Sequence, residues 1–422
     1  PDLPQMILAV LIDGDGRPVC SEMWPGNVAD VTTLIPVIDR LRERFAPNGF
    51  LHYGQGKWYP GEQLPRWAYG CFWRKDGVPV WRDSKLFADI ATDYGMTHEH
   101  AERFTAQLAK RLGIEANLAV PGYEDVFYYL WKEGTLPDNI IRLKVDLKDS
   151  LERQYLARLW DKGLGVPAGY ALPLQWDLHS GAWYSGPWEF RRGQMFLIPG
   201  GSAMGLRLPL DSLPWEAPDK RESSPEHNQF GALPTLKDYH GEVAARYSQI
   251  EAAASAHPEI HEQPPADAAS QGELLKIPHT ALCVEAREGR LHVFMAPLTM
   301  LEHYLDLVAA VEATAADLAM PVVLEGYEPP RDYRLERLLV TPDPGVIEVN
   351  IHPAASWREL VNNTTTLHEG ARHSRLGTEQ LMPDGRPSGT GGGNHVVVGG
   401  ATPTDSPFLR RPALLKSLIL FW

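Results

Sequence analysis

The sequence predicts an α+β fold in which helices pack on a mostly antiparallel sheet. Three observations predict it. Hairpin signals recur, each made of two short apolar strands separated by a turn rich in glycine or aspartate. Segments with amphipathic helical spacing lie between these hairpins. Finally, the 36 prolines in 422 residues favour many short elements joined by fixed turns over a few long helices.

The first 215 residues contain one clear hairpin signal and several isolated elements. Gln5–Ile12 and Val19–Trp24 are predicted strands joined by the turn Asp13–Pro18. Asp30–Phe45 has apolar residues at helical spacing and predicts a helix. The other predicted elements of this part are the helix His98–Leu112 and short strands around Phe196–Pro199 and Leu206–Leu210.

Residues 216–275 differ from the segments on either side. They are rich in Glu, Ser, Pro, Ala and His, and they lack a sustained apolar period. This composition predicts a flexible linker or insertion. Scattered histidines such as His240 suggest a metal site, but solvent-facing histidines in a polar segment are the simpler interpretation.

From Ile277 onwards the periodicity becomes regular. The predicted strands are Thr280–Glu285, Leu291–Met295, Pro321–Glu325, Leu338–Val340, Gly345–Ile351 and Val396–Val398. The predicted helices are Leu301–Leu318 and Trp357–Arg375, and the predicted connections include the turn Arg287–Gly289 and the loop Pro383–Asn394. The chain ends at Trp422 inside a helical pattern, so we expect a sheet that is incomplete at its C-terminus.

Composition restricts the class of protein. A net charge of −14 disfavours a general nucleic-acid or anionic-membrane surface. Tryptophans and basic residues interleave in residues 46–83, which suits either a nucleic-acid stacking surface or a core anchored by tryptophans, and the acidic whole favours the core. Three cysteines without a CxxC pair indicate buried thiols in a reducing cytoplasm. No apolar run reaches the length of a membrane span. We therefore expect a cytoplasmic protein without a nucleic-acid or membrane partner.

The segment VIEVNIH, Val346–His352, is the first candidate for chemistry. Alternation along a strand would place Glu348, Asn350 and His352 on one face. A carboxylate, an amide and an imidazole on one face can hold a hard divalent cation such as Mg²⁺. An antiparallel strand with its polar face in water fits the pattern equally well.

A glycine-rich segment is the second candidate. GTGGGNH, residues 389–395, leads directly into the apolar strand Val396–Val398. Gly391, Gly392 and Gly393 would let consecutive backbone N–H groups face a phosphate, followed by Asn394 and His395. A flexible loop is the alternative, but the histidine leading into a strand favours a binding role. We also count Arg386 among the cofactor-binding candidates.

Two glutamates at strand ends are the third candidate. Glu285 ends ALCVE and Glu325 ends VVLE. A carboxylate at a strand end is commonly a simple surface residue. Together with Glu348, however, the two could line one face of a sheet, and several carboxylates beside a phosphate-binding loop make a plausible two-metal ATP site.

These same segments resemble an amidoligase family found behind transglutaminase-like domains in bacterial proteins. The matching stretches are His52–Asp83, Phe196–Trp215, Thr280–Leu298, Glu325–Pro330, Thr341–Trp357 and Ser374–Pro412. The resemblance covers about residues 40–422. It implies a glutamine-synthetase-like fold and membership of the glutamine synthetase and glutamate–cysteine ligase superfamily, with ATP and Mg²⁺ as cofactors.

The resemblance also implies roles for particular residues. GVIEVN resembles the synthetases' G-Q-x-E-[IV] strand, which places Glu348 at a metal-binding glutamate. GTGGGNH resembles their segment before a histidine that contacts metal and phosphates, which implicates His395. Glu285 and Glu325 would supply further metal ligands, together with Asn350 and His352. No clear E-x-E first strand is found, and the synthetases' phosphate-binding arginines would lie beyond Trp422.

Residues 1–45 resemble a fragment of a DDE-type insertion-sequence transposase, without its catalytic aspartates. The expected organisation is this fragment, the N-terminal part of the amidoligase region at 46–215, the linker at 216–275 and a truncated ligase core at 276–422. The leading hypothesis is an ATP- and Mg²⁺-dependent carboxylate–amine ligase that acts on small-molecule or peptide substrates, with a transglutaminase-like domain in the intact protein. The alternative is a catalytically inactive chimera or binding module left by a transposon insertion.

Overall fold

Short strands and helices alternate along the chain in the computed structural model. The structure describes residues 6–12, 18–25, 41–46, 49–55, 67–134, 163, 165–190, 192–213, 233–256, 277–343, 346–373, 380–381, 385–388, 398–400 and 403–421.

The strands are β1 Met6–Ile12, β2 Pro18–Pro25, β3 Phe50–Gln55, β4 Trp67–Arg74, β5 Val120–Tyr123, β6 Gly169–Pro173, β7 Gln175–Asp177, β8 Ala182–Tyr184, β9 Met195–Phe196, β10 Ala281–Arg287, β11 Arg290–Met295, β12 Val322–Gly326, β13 Leu335–Asp343, β14 Val346–Asn350, β15 Gln380–Leu381 and β16 Pro387–Ser388. The α-helices are α1 His98–Leu112, α2 Val126–Gly134, α3 Tyr239–Ala256, α4 Leu301–Leu318, α5 Trp357–His373, α6 Pro407–Arg410 and α7 Pro412–Phe421. Short 3₁₀ turns cover Ser84–Leu86, Ala116–Leu118, Met204–Leu206, Leu210–Ser212 and Pro403–Asp405.

The chain divides into two units. Unit 1 comprises residues 1–82, 226–235 and 331–422, and unit 2 comprises residues 83–225 and 236–330. Both contain sheet and helix, and most described strand pairs are antiparallel, so the predicted α+β class is confirmed. The domain boundaries expected at residues 45, 215 and 275 stay predictions.

Unit 1 contains four antiparallel strands in the order β14–β13–β4–β3. Phe50 on β3 stacks on Phe72 on β4, with ring centroids 5.2 Å apart, and both are fully buried. Leu338 and Val340 on β13 are buried as well. The same unit holds the hairpin of β1 and β2, the short pair β15–β16, and helix α5.

Unit 2 contains six strands in the order β12–β11–β10–β6–β5–β9. The pairs β11–β12 and β5–β9 are parallel and the others are antiparallel. Helix α1 packs on β6 and β10, and α4 packs on α1 and α3. Most of α4 is buried, and each fully buried Leu or Val side chain contributes about 1.5–3 kcal/mol to folding. The centre of this unit is therefore strongly apolar.

Most of the predicted elements in the C-terminal part are confirmed. The hairpin β10–β11 and helix α4 lie where the pattern placed them, and α5 ends two residues earlier, at His373. In the N-terminal part the hairpin β1–β2 and helix α1 are also confirmed. The predicted helix Asp30–Phe45 lies mostly outside the described residues, of which 41–45 are helical. The strand expected at Leu206–Leu210 is wrong, because 3₁₀ turns occupy this segment.

Part of the predicted linker or insertion is ordered, because residues 239–256 form helix α3, which packs on α4. Arg246 forms an ion pair with Asp306 at 2.8 Å, and Nε2 of His240 lies 2.6 Å from Oε2 of Glu312. His240 is thus not the solvent-facing histidine that the composition suggested. Residues 214–232 and 257–276 lie outside the described part of the chain.

The expectation of buried thiols is confirmed for Cys71 and Cys283, which are buried and free. Of the two tryptophans in residues 46–83 whose side chains are described, Trp81 is buried in the core and Trp73 is partly buried. Among the described residues, no helix combines the length and the apolar character needed to cross a bilayer.

Candidate active site

Glu285 and Glu325 lie on the same face of the unit 2 sheet. Glu285 on β10 pairs with His292 on β11, and Glu325 on β12 pairs with Phe294 on β11. Directly paired residues share a face, and residues two apart on one strand share it as well. The pairing therefore brings two glutamates from strands separated by β11 towards each other, as the sequence predicted for this pair.

Arg287 and His292 complete a buried polar cluster with the two glutamates. Nη2 of Arg287 is hydrogen-bonded to Oε2 of Glu325 and lies 2.7 Å from Nδ1 of His292. Nε of Arg287 lies 3.2 Å from Oε1 of Glu285, and Nδ1 of His292 lies 3.1 Å from Oε2 of Glu325. One guanidinium thus bridges both carboxylates. We call these four residues the β10–β12 cluster.

A tight turn places Arg287 in the β10–β12 cluster. The turn residues are Glu288 and Gly289, with φ of 49° and 71°. A Cβ at Gly289 would stand 1.6 Å from Oδ1 of Asp93, so the position needs glycine for space as well as conformation. The sequence had assigned Arg287 to the turn, and this is corrected: Arg287 is the last residue of β10 and pairs with Arg290.

The backbone and apolar side chains around Glu285 hold it rigidly. The N–H of Met204 donates to Oε1 of Glu285 at 3.0 Å. The same side of the sheet packs on an apolar cluster that comprises Ala168, Ala171, Trp188, Met195, Leu197, Met204, Leu208, Leu213, Ala281, Cys283 and Phe294. A charged group beside such a surface keeps its charge only with partners close by.

Burial and charge act differently on the two carboxyls. Burial raises the pKa of Glu285, and the positive charge of Arg287 offsets only part of this. Burial acts in the same direction on Glu325, but the opposing effects, of which the positive charge of Arg287 is the largest, outweigh it and lower the pKa of that carboxyl. Burial and both glutamates raise the pKa of the Cys283 thiol well above its ordinary value. Cys283 is therefore a neutral thiol and a poor nucleophile.

Glu348 and Asn350 form a separate pair on β14 in unit 1. Nδ2 of Asn350 donates to Oε1 of Glu348 at 3.0 Å. Glu348 is partly buried and Asn350 is exposed. The alternation that the sequence predicted for these two residues is present, because β14 spans both.

His352 does not share the surroundings of that pair. Strand β14 ends at Asn350, so alternation does not extend to His352. Its ring packs edge-on against Phe45 and Trp73, with centroids 5.3 and 5.1 Å away, and its Nε2 lies 3.3 Å from Nδ2 of Asn363. Burial lowers the pKa of His352. Its described contacts are those of a packed, neutral imidazole.

The glycine-rich candidates are not described. Gly391, Gly392, Gly393, Asn394 and His395 lie outside the described residues, so their roles stay predictions. Arg386 lies in the described segment 385–388 next to β16, and it is exposed.

A family model matches residues 31–422, and its family is described as "Putative amidoligase enzyme (DUF2126)". The chain belongs to this amidoligase family. Searches among curated proteins and among solved structures found no match to the chain. The match covers both units and includes the β10–β12 cluster, so this cluster belongs to the amidoligase region.

An amidoligase that uses ATP would need Mg²⁺, and the residues differ in how well they fit it. Glu285 and Glu325 fit poorly, because Arg287 already pairs with both, and no group of three or more His, Cys, Asp or Glu side chains in the described segments is placed to hold a metal ion. Glu348 and Asn350 fit better, because Mg²⁺ takes one or two carboxylates and completes its shell with water and phosphate oxygens.

The sequence did not lead us to predict Arg287 and His292 as site residues of this amidoligase. A signal for both was present in ALCVEAREGRLH. Arg287 lies two residues after Glu285, and a two-residue Glu-Gly turn pairs position 285 with position 292. Extending the hairpin register from this turn back to position 285 would have placed Glu285, Arg287 and His292 on one face.

Proposed function

We propose that this protein is an ATP- and Mg²⁺-dependent carboxylate–amine ligase. The observation that carries the proposal is the amidoligase family match, which covers residues 31–422. The resemblance of the glycine-rich and VIEVN segments to glutamine synthetases supports ATP as the energy source. We extend the proposal to a glutamine-synthetase-like active site and to small-molecule or peptide substrates.

The proposed reaction has two steps. A carboxylate oxygen of the first substrate attacks the γ-phosphorus of ATP, the bond to the β,γ-bridging oxygen breaks, and ADP leaves. The amine nitrogen of the second substrate then attacks the acyl carbon, phosphate leaves, and the nitrogen loses a proton to give the amide. Neither step changes an oxidation state, so the protein's task is to position the reactants and stabilise charge.

The β10–β12 cluster supports an active site in unit 2. Two carboxylates, a guanidinium and an imidazole share one buried sheet face, and removing such charges from water costs several kcal/mol per ion. Charged residues held in this way, with pKa values displaced from their ordinary range, occur preferentially at functional sites. Hydrophobic residues of similar size would have filled the same space without this desolvation cost.

The residues of unit 1 receive the nucleotide roles in this proposal. Glu348 and Asn350 would hold Mg²⁺, which supplies neutralisation of the phosphate charge when it is bound. Gly391–Gly393, Asn394, His395 and Arg386 would contact the phosphates, as the sequence resemblance implies.

Trapping the acyl phosphate tests the reaction directly. The 422-residue chain is incubated with MgATP, hydroxylamine and a panel of amino-acid carboxylates, and hydroxamate and ADP are measured. Hydroxylamine replaces the natural amine, so the unknown second substrate is not needed. We expect hydroxamate and ADP in equal amounts with at least one carboxylate.

Variants and nucleotide binding make this test decisive. Glu348→Gln should weaken the Mg²⁺ dependence of ATP binding measured by calorimetry, and His395→Ala should weaken ATP binding. Glu369→Gln on the exposed side of α5 is the charge-matched control and should change neither. Absence of MgATP binding by the folded chain would overturn the ligase proposal in favour of a catalytically inactive binding module.

A further inference from the structure

Three polar atoms of the β10–β12 cluster are buried without a hydrogen-bond partner. They are Oε1 of Glu325, Nε2 of His292 and Nε of Arg287. Glu325 is only 8% exposed. Leaving a buried polar group unpaired costs about 1–3 kcal/mol. Such atoms at one place point to a molecule that satisfies them.

The contact with Arg287 determines whether Nε2 of His292 is a donor or an acceptor. A guanidinium only donates hydrogen bonds, and its Nη2 lies 2.7 Å from Nδ1 of His292. Nδ1 is therefore the acceptor, and the proton of the neutral ring is on Nε2. The three unpaired atoms are thus two N–H donors, Nε2 of His292 and Nε of Arg287, and one carboxylate acceptor, Oε1 of Glu325. A metal ion needs a lone pair from every ligand, and Nε2 does not offer one.

The charges around these atoms determine whether a cation or an anion fits the cluster. Glu285 and Glu325 contribute two negative charges, and Arg287 contributes one positive charge. The next charged pair, Glu288 with Arg290, is internally compensated, and Glu288 is largely exposed. A cationic ligand with N–H donors therefore fits better than an anion. It also fits better than water, which can pair with the unpaired atoms but leaves the charge uncompensated.

The cluster is least enclosed beside Arg287. The Arg287 side chain is 34% exposed, whereas those of Glu285, Glu325 and His292 are 8%, 11% and 12% exposed. A small ligand would enter next to the guanidinium and reach Glu325 behind it.

We propose that the β10–β12 cluster binds the amine substrate, a small primary ammonium with an oxygen acceptor close to its nitrogen. Its N–H group donates to Oε1 of Glu325, and its oxygen accepts from Nε2 of His292. The assignment as substrate rests on the ligase function proposed above. The binding site itself rests on the geometry of the cluster.

Ethanolamine and choline are the matched probes. Both are cations with the same hydroxyl group, but only ethanolamine in its protonated form carries N–H donors. The full chain is labelled with ¹⁵N-histidine and titrated with each probe while long-range ¹H–¹⁵N spectra are recorded. The His292 signals are identified by their loss in His292→Gln.

The expected result has three parts. The spectrum of the free protein shows His292 protonated on Nε2 and unprotonated on Nδ1. Ethanolamine shifts these signals in a saturable way, and choline does not. Glu325→Gln, which keeps the side-chain volume, weakens ethanolamine binding at least tenfold, whereas Glu288→Gln, the exposed control in the neighbouring turn, leaves it unchanged.

Three results would overturn the inference. They are a free-protein spectrum with the proton on Nδ1, equal shifts with choline, and unchanged ethanolamine affinity in folded Glu325→Gln. The first does not involve Glu325→Gln, so the test does not depend on the folding of that variant. The titration contains no ATP, so its outcome does not depend on ligase activity. Ethanolamine binding without hydroxamate formation would therefore overturn the ligase proposal but not the binding site. Hydroxamate formation without selective ethanolamine binding would overturn the amine site alone.

Discussion

Gly169 on β6 lies directly opposite Glu285 on β10, and it leaves no room for a side chain. A Cβ built at Gly169 would stand 2.7 Å from Cβ of Glu285 and 2.5 Å from the carbonyl oxygen of Val284. The sulfur of Met204, whose N–H holds Glu285, would be 2.8 Å away. The glycine thus lets β6, Met204 and the carboxylate approach one another.

Gly169→Ala should therefore destabilise the protein. Two of the three close atoms belong to the backbone or to a rigid Cβ, so the strand itself must shift, at a cost of about 1–3 kcal/mol. Urea denaturation followed by tryptophan fluorescence measures this. Gly165→Ala is the control, since no atom lies within 4 Å of its added Cβ, and it should change the free energy of unfolding by less than about 0.5 kcal/mol. Equal stability of the two variants would contradict the packing described.

Arg287→Met should be more harmful than loss of an ordinary surface arginine. Both buried carboxylates lose their shared counter-ion, and breaking a buried pair costs about 3–5 kcal/mol. We expect about 3 kcal/mol, because a third of the Arg287 side chain is exposed.

The matched control for this substitution is Arg192→Met in the same unit. Arg192 is 46% exposed and pairs with Asp125 at 3.3 Å. Exposed pairs of this kind contribute about 0–1 kcal/mol, so Arg192→Met should be nearly neutral. Similar unfolding free energies for the two variants would show that Arg287 does not bridge the carboxylates.

Glu285→Gln and Glu325→Gln should respond to pH in opposite directions. The pKa of Glu325 is lowered in the folded protein, so its ionisation stabilises the fold above the ordinary value of 4.5, and this contribution is lost as pH falls through the lowered pKa. The pKa of Glu285 is raised, so its contribution is present below 4.5 and is lost as pH rises through the raised pKa.

The cost of Glu325→Gln relative to the natural protein should therefore shrink as pH falls, and the cost of Glu285→Gln should shrink as pH rises. Urea denaturation at a series of pH values from about 3.5 to 7 measures both differences. Parallel pH profiles for the two variants would contradict the assignment of opposite shifts.

The sequence allowed the hairpins, the helices and the carboxylates to be predicted, because each depends on a local pattern. ALCVE and VVLE are continuous apolar runs that end in a glutamate, and both became buried strands that meet across β11. The partners of those glutamates depend on register. Arg287 was assigned to a turn because Glu-Gly follows it, and only the φ values of Glu288 and Gly289 place the turn one residue later.

Helix α3 was missed for a different physical reason. Of its residues, Tyr239 and Val243 are the buried hydrophobics in the described core, which is too few to produce an apolar period. Polar contacts with α4 hold it instead, and their partners, Asp306 and Glu312, lie 60 and 72 positions away in the sequence. Periodicity measures apolar burial alone, so it cannot detect a helix that docks through charge.

Arg246→Met should release α3 from α4. Oδ1 of Asp306 accepts from Arg246 at 2.8 Å and from the indole N–H of Trp183 at 2.7 Å, and Asp306 is buried. Without Arg246 the carboxylate keeps one neutral donor and an uncompensated charge, at a cost of about 3 kcal/mol. We expect faster amide hydrogen exchange throughout residues 239–256. Lys237→Met, at an exposed pair with Glu242, should leave exchange of the helix unchanged. Fast exchange of these residues in the unmodified protein would contradict the docking of α3, because opening would then cost little free energy even with both polar contacts present.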